Sequence, residues 1–156
     1  MKKQQGYTLI ETLVAVMLVI TLSAAGVHGW QGFQAHQRLW QTAWQVRDYL
    51  ELLRDDANGQ NRDHVISVIR EGNGWCLLSS VNHDAGCSAR NPFAMKSLAA
   101  DVALVNITPT LKFYGLRNTA WAGHILVRNT AGAWQIIVSK WGRIRMCQQT
   151  SEASCA

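Results

Sequence analysis

Apolar and polar positions alternate along this chain in three distinct ways. An almost unbroken apolar run covers residues 12–27, with a single acid, Glu11, just before it. The 8–30 segment is about 23 residues, or roughly 35 Å of helix, which is enough to cross a bilayer. A secretory signal peptide would place its small-residue cleavage site after such a run, whereas here the run leads into further helix. Leu39, Ala43, Val46, Leu50, Leu53 and Ala57 then recur at alternating spacings of four and three, one stripe of an amphipathic helix. Phe33, Trp40 and Trp44 form a second stripe beside it. No proline occurs before Pro92, and Asn58-Gly59 supplies a stop signal. The pattern predicts one helix over residues 8–57, about 75 Å long, with its first half in lipid and its second half packed on a domain.

Beyond that point the period falls towards two. His64–Glu71 and residues 75–80 flank Gly72-Asn73-Gly74, a hairpin signal. Residues 81–101, with Asn82, Asp84, Gly86, Asn91 and Pro92, read as a surface loop. Further strands are expected at 111–114, 124–128, 134–139 and 143–147, with Thr130-Ala131-Gly132 as another turn. The expected fold is α+β: a long N-terminal helix, half membrane-spanning and half amphipathic, packed on a small antiparallel β-sheet or β-sandwich domain. About 100 residues remain outside the helix, enough for one modest core.

Charge and cysteine content then place this domain. The formal net charge is +5, and Lys2 and Lys3 precede the span. Positive charge before a span keeps the N-terminus cytoplasmic, so the globular part is expected in the periplasm of a Gram-negative cell. Cys76, Cys87, Cys147 and Cys155 have neither C-x-x-C spacing nor nearby histidine pairs, which argues against zinc. Of the three connectivities, Cys76–Cys87 and Cys147–Cys155 close the shortest loops. Each bridge would stabilise the fold by about 2–4 kcal/mol.

The opening Met-Lys-Lys-Gln-Gln-Gly, followed by Tyr-Thr-Leu-Ile-Glu-Thr-Leu, resembles the class III signal of type IV prepilins and type II secretion pseudopilins. The resemblance implies that prepilin peptidase cuts between Gly6 and Tyr7 and methylates the new amine, leaving Glu11 at the fifth mature position. Tyrosine stands where the family more often has phenylalanine, and the aromatic is kept. A lone carboxylate in a spanning helix costs about 2.5–3.5 kcal/mol near the bilayer centre. Glu11 therefore needs a partner, and the amine of Tyr7, on the same chain or a neighbour, is a natural one.

Later segments, R-D-Y-L at 47–50, N-R-D-H at 61–64, G-L-R-N-T-A-W-A-G-H-I at 115–125 and W-G-R-I-R-M-C-Q-Q at 141–149, are similar to the GspH/FimT group of minor pseudopilins. That resemblance implies a leader at 1–6, a transmembrane and assembly helix at 7–30, its amphipathic continuation at 31–58 and a periplasmic β-rich domain at 59–156. It also implies a minor pilin in a tip complex that primes fibre growth from the inner membrane, working with other minor pilins and the major pilin. Membership of a type II secretion system is an alternative.

Charge distribution adds one candidate binding surface. No acid falls between residues 102 and 151, while Lys112, Arg117, Arg128, Lys140, Arg143 and Arg145 all do. Gly142-Arg143-Ile144-Arg145 is expected to put two arginines on one face of a strand, with Trp134 and Trp141 nearby. Cations interleaved with aromatics suit phosphates and stacked bases. The motif matches a G-R-x-R pattern of the FimT branch, which implies DNA binding in natural transformation. Lys112, Arg128, Lys140, Arg143 and Arg145 are thus candidates for binding DNA or a partner subunit, an assembly surface being the preferred reading. No G-x-S-x-G, P-loop, H-E-x-x-H or G-x-G-x-x-G motif occurs. His28, His36, His64, His83 and His124 are scattered without ligand spacing. The expectation is a substrate of the peptidase with no catalytic residues, cofactor or metal of its own.

Overall fold

The computed structural model describes residues 8–72, 74–81, 86–87 and 91–149. The described residues form one helix, α1 (Leu9–Gln60), and nine strands. The strands are β1 (His64–Glu71), β2 (Gly74–Ser79), β3 (Ala94–Lys96), β4 (Ala103–Ile107), β5 (Lys112–Phe113), β6 (Ala120–Trp121), β7 (Gly123–Asn129), β8 (Gly132–Val138) and β9 (Ile144–Gln149). The chain divides into two units, Met1–Gln34 and Ala35–Ala156.

In the first unit, α1 is long and apolar enough to cross a membrane. Leu9, Ile10, Leu13, Val14, Val16, Met17 and their successors to Leu22 are all exposed. Its hydroxyls are turned inward onto the helix. Thr12 Oγ1 donates to the Leu9 carbonyl at 2.8 Å, Thr21 Oγ1 to the Leu18 carbonyl at 3.0 Å and Ser23 Oγ to the Val19 carbonyl at 2.7 Å. In lipid no water would satisfy these donors, so back-bonding to the previous turn keeps the surface apolar.

In the second unit the predicted stripe is the inner face of α1. Leu39, Ala43, Val46, Leu50, Leu53 and Ala57 are all buried, with Ala35 and Tyr49 beside them. The helix does not stop at Asn58-Gly59 but continues to Gln60. Asn61 makes the stop, at φ 50°, and Arg62 N–H donates to the Ala57 carbonyl at 3.3 Å. A left-handed residue followed by this long-range bond is a Schellman cap, and asparagine tolerates the conformation better than most residues.

The strands form two antiparallel sheets, of order β3-β2-β1-β5-β6 and β4-β7-β8-β9. The predicted hairpin pairs Glu71 with Gly74 and Ile66 with Ser79. Ile66, Leu77, Phe113, Ile125, Val127, Ile136 and Val138 meet the helix stripe in one core that draws on both sheets. Trp75 closes an edge of it, donating from Nε1 to the Val102 carbonyl at 2.8 Å.

Three strands were not expected. β3 lies inside the stretch expected to be a loop, and β4 and β6 lie where the sequence pattern predicts no strand. β3 and β6 are too short to show alternation, and β4 carries an irregularity between Leu104 and Asn106 that breaks its period. Cys76 and Cys87 are bridged across an 11-residue separation, with Cα atoms 6.2 Å apart. Cys147 is also disulfide-bonded. Cys155, and with it the Cys147–Cys155 expectation, lies outside the described residues.

Gly115 marks the tightest backbone approach in the second unit. A Cβ there would run into the backbone of Asn61 and Arg62, whereas one on Gly59 would meet nothing within 4 Å. Gly115→Ala should therefore destabilise the protein by about 3 kcal/mol through overpacking, while Gly59→Ala should leave stability unchanged or raise it by up to about 1 kcal/mol. Urea unfolding of the two variants beside the wild type measures both.

Candidate assembly and binding sites

Gly6 and Tyr7 lie outside the described residues. Glu11 lies in the first turn of α1, exposed among exposed Leu9, Ile10, Leu13 and Val14. It is the one residue of full charge between positions 8 and 37. The surface that would meet lipid thus carries a single carboxylate at its N-terminal end, where the helix dipole favours negative charge.

The five basic candidates separate into different places. Lys112, on β5, pairs with Asp63 at 3.6 Å and sits 4.2 Å from the Tyr114 ring centre. Arg128 on β7 and Arg145 on β9 are exposed on the four-stranded sheet with β8 between them. Arg128 aligns with Ala133, and Arg145 with Ile137, so they share a face but are not neighbours. Lys140 and Arg143 are exposed in the β8–β9 loop.

Gly142 of the Gly-Arg-Ile-Arg segment has a structural reason of its own. Its φ is +69°, it donates to the Ser139 carbonyl at 2.9 Å, and Ser139 N–H donates to the Arg143 carbonyl at 2.9 Å. That is a tight turn followed by a left-handed bulge residue, where glycine is favoured. A Cβ at this position would meet Arg54 and Asn118 only at ordinary contact distance, so it is the positive φ rather than lack of space that favours glycine.

The structure also joins residues that sequence reasoning left apart. Asp56 Oδ2 accepts from His64 Nε2 at 2.6 Å, and His64 Nδ1 faces the Ser79 hydroxyl at 2.7 Å. Arg62 clamps the same carboxylate, donating from Nε to Oδ2 at 2.6 Å and from an outer nitrogen to Oδ1 at 2.8 Å. The residue types are those of a hydrolase triad, but the arrangement is not. The carboxylate takes Nε2 and the serine takes Nδ1, the reverse of the catalytic orientation. His64 is fully buried and Ser79 nearly so, which closes the serine off from solvent.

The chain of contacts instead ties the end of α1 to β1 and β2. Phe93 packs beside it, its ring centre 5.5 Å from that of His64 and 5.0 Å from the Arg62 guanidinium. Tyr49 donates to the Phe93 carbonyl at 2.9 Å, and burial pushes the Tyr49 phenol up, so it remains a donor. No local signal marked this cluster, because Asp56 and His64 are eight residues apart and Ser79 a further fifteen.

The prokaryotic N-terminal methylation motif matches residues 1–27. No curated protein matches the sequence. Among solved structures, the type IV minor pilin FimU of Pseudomonas aeruginosa is 17% identical, with a TM-score of 0.53. That match covers 73% of this chain and 91% of FimU. The minor pseudopilin EpsH from the type 2 secretion system of Vibrio cholerae is 14% identical over 71% of this chain and 97% of its own, with a TM-score of 0.51. At these identities the likeness is one of fold. The methylation motif and this fold occur together in the one chain.

Arg62 and His64 set the acid stability of the second unit through Asp56. The hydrogen bond from Arg62 lowers the Asp56 pKa most, followed by that from His64. A carboxylate whose folded pKa is depressed contributes its full stabilisation above its unfolded value, near 4, and loses it as pH falls through the lower folded value. Asp56→Asn should cost about 2 kcal/mol at neutral pH, and the gap to wild type should narrow below about pH 4. Denaturant unfolding at pH 7 and pH 3 reads the difference.

Proposed function

We propose that the chain is a minor pilin or pseudopilin that helps initiate assembly of a type IV pilus or a type II secretion pseudopilus as part of a tip complex. The observation that carries this reading is the join between its two parts. A methylation motif opens a helix whose described side chains in the first unit are exposed and almost wholly apolar, and that helix enters a domain with the fold of FimU and EpsH. So much exposed apolar surface has two uses: residence in the inner membrane and burial against the helices of neighbouring subunits.

In this reading Lys2 and Lys3 hold the leader in the cytoplasm and the β-rich domain lies in the periplasm. Prepilin peptidase removes residues 1–6 and methylates Tyr7. Glu11 then matters because its carboxylate needs a cation at bilayer depth. Pairing with the Tyr7 amine of a neighbouring subunit would hold adjacent helices in register as they leave the membrane. Other minor pilins and the major pilin are the partners, and the protein performs no catalysis of its own.

Cleavage is tested by mass spectrometry of protein from cells with active peptidase. The expected N-terminus is N-methylated Tyr7, and an intact leader or a cut near Ala25 would contradict the reading. Glu11→Ala should leave insertion and cleavage intact, since removing an intramembrane acid eases insertion by about 2.5–3.5 kcal/mol at most. The same variant should lose most copurification with partner pilins. Undiminished copurification would show that Glu11 plays no part in assembly.

A further inference from the structure

We propose that the β5–β6 and β8–β9 loops form a docking surface for an anionic lipid bilayer, separate from the N-terminal helix. Leu116, Trp121 and Trp141 are 71%, 54% and 76% exposed. Leu116 lies on the β5–β6 loop, Trp121 on β6 beside it and Trp141 on the β8–β9 loop, and large apolar side chains left in water this fully mark an interaction surface. Arg117, Lys140 and Arg143 lie among them, all exposed. Among the described residues none of these three cations is in an ion pair.

Two acids beside these loops already have partners. Asp63 accepts from Gly115 N–H at 2.9 Å and pairs with Lys112, and Asp55 pairs with Arg54 at 3.0 Å. The uncompensated charge on this surface is therefore positive.

The two loops are held as one platform. Ala120 N–H donates to the Lys140 carbonyl at 2.9 Å, and Tyr114 N–H to the Thr119 carbonyl at 2.9 Å. Asn58 at the end of α1 donates to the Asn118 side chain at 2.8 Å, and Asn118 packs on Gly142. Arg117 and Asn118 both have positive φ, 73° and 49°. Two successive left-handed residues make the tight turn of a hairpin. An arginine in that conformation carries backbone strain, which persists only where its surroundings enforce it. An open groove of about 550 Å³ runs between the loops, lined by Tyr114, Arg117, Thr119, Trp121 and Lys140.

The combination of side chains selects the occupant. Indoles rest at headgroup depth, a leucine reaches the acyl boundary, and lysine or arginine stems lie along apolar surface while their heads meet phosphates. A single-stranded nucleic acid would use the two tryptophans and the cations, but Leu116 offers no π-face for a base. An anionic bilayer uses all six side chains.

The test uses the full chain, held by its helix in nanodiscs of neutral phosphatidylcholine and mixed with separate vesicles. Vesicles containing phosphatidylglycerol should carry the nanodiscs upward on flotation, pure phosphatidylcholine vesicles should do so far less, and raised salt should weaken the capture. Lys140→Ala with Arg143→Ala should lower the partition by about 25-fold, taking about fivefold per cation at an anionic surface. Leu116→Ser with Trp141→Ser should lower it by at least tenfold, about what losing one buried large apolar side chain costs. Thermal unfolding confirms that these exposed substitutions leave the fold intact. As a second readout, brominated lipid should quench less tryptophan fluorescence in Trp141→Phe than in wild type while flotation persists. No preference for anionic vesicles, or capture unchanged in both double variants, would overturn the proposal. So would retention of a single-stranded oligonucleotide that depends on the same residues while the vesicles float free.

Discussion

The buried stripe of α1 is the element around which the second unit is built. Leu39, Val46, Leu50 and Leu53 contact no solvent, and side chains from both sheets converge on them. Among the described residues no strand of one sheet pairs with a strand of the other, and the helix gives them a common core. This imposes a strict demand on the sequence of α1. From Leu9 to Leu22 it presents a nearly continuous apolar surface broken by Glu11, and in the second unit an apolar stripe, with Arg38, Arg47 and Arg54 on its remaining surface. Those arginines pair with Asp101, Glu51 and Asp55. At such exposure they contribute little stability and chiefly keep the outer face soluble.

Polar groups at the helix end do a different job. Asp56 is approached by Arg62 and His64 from the same short connection, and His64 passes the contact on to Ser79. A polar network with its histidine and serine buried penalises any register in which their partners are missing, because an unpaired polar group in the interior costs more than a made bond returns. The Schellman turn at Asn61 and the close approach of Gly115 fix the connection that places Arg62 and His64. Fold specificity at this corner rests on backbone geometry as much as on apolar burial.

What could be read from the sequence follows the range of the signal. The helix stripe repeats often enough to be certain, and each of its six predicted positions is buried. The β1–β2 hairpin was legible because its turn glycines flank two full strands. β3 and β6 were not, since two or three residues hold no period, and the β4 irregularity erased its alternation. The helix end was misread by three residues because a free-standing Gly59 stays helical when nothing crowds it, while Asn61 turns.

Candidate sites divide in the same way. The expected cleavage at Gly6–Tyr7 rests on the resemblance of the leader to those of prepilins, and Glu11 stands out as the one acid beside the apolar run. The basic residues looked like one set only because they are close in sequence; pairing with Asp63 claims Lys112, and a central strand separates Arg128 from Arg145. The Asp56–His64–Ser79 contacts were invisible, since each crosses from one element to another.

The same contacts have a mechanical consequence. Any tension transmitted along α1 into the second unit must leave the helix before Gln60, where the chain turns back into β1. The interdigitated stripe would bear this load in shear, spread over many side chains. At the turn itself, the Arg62 clamp on Asp56 and the His64 bridge to Ser79 act as a rivet between helix end and sheet. Such a joint resists sliding until several short bonds fail together, so the last turn of α1 should be the stiffest part of the head rather than its first point of fraying.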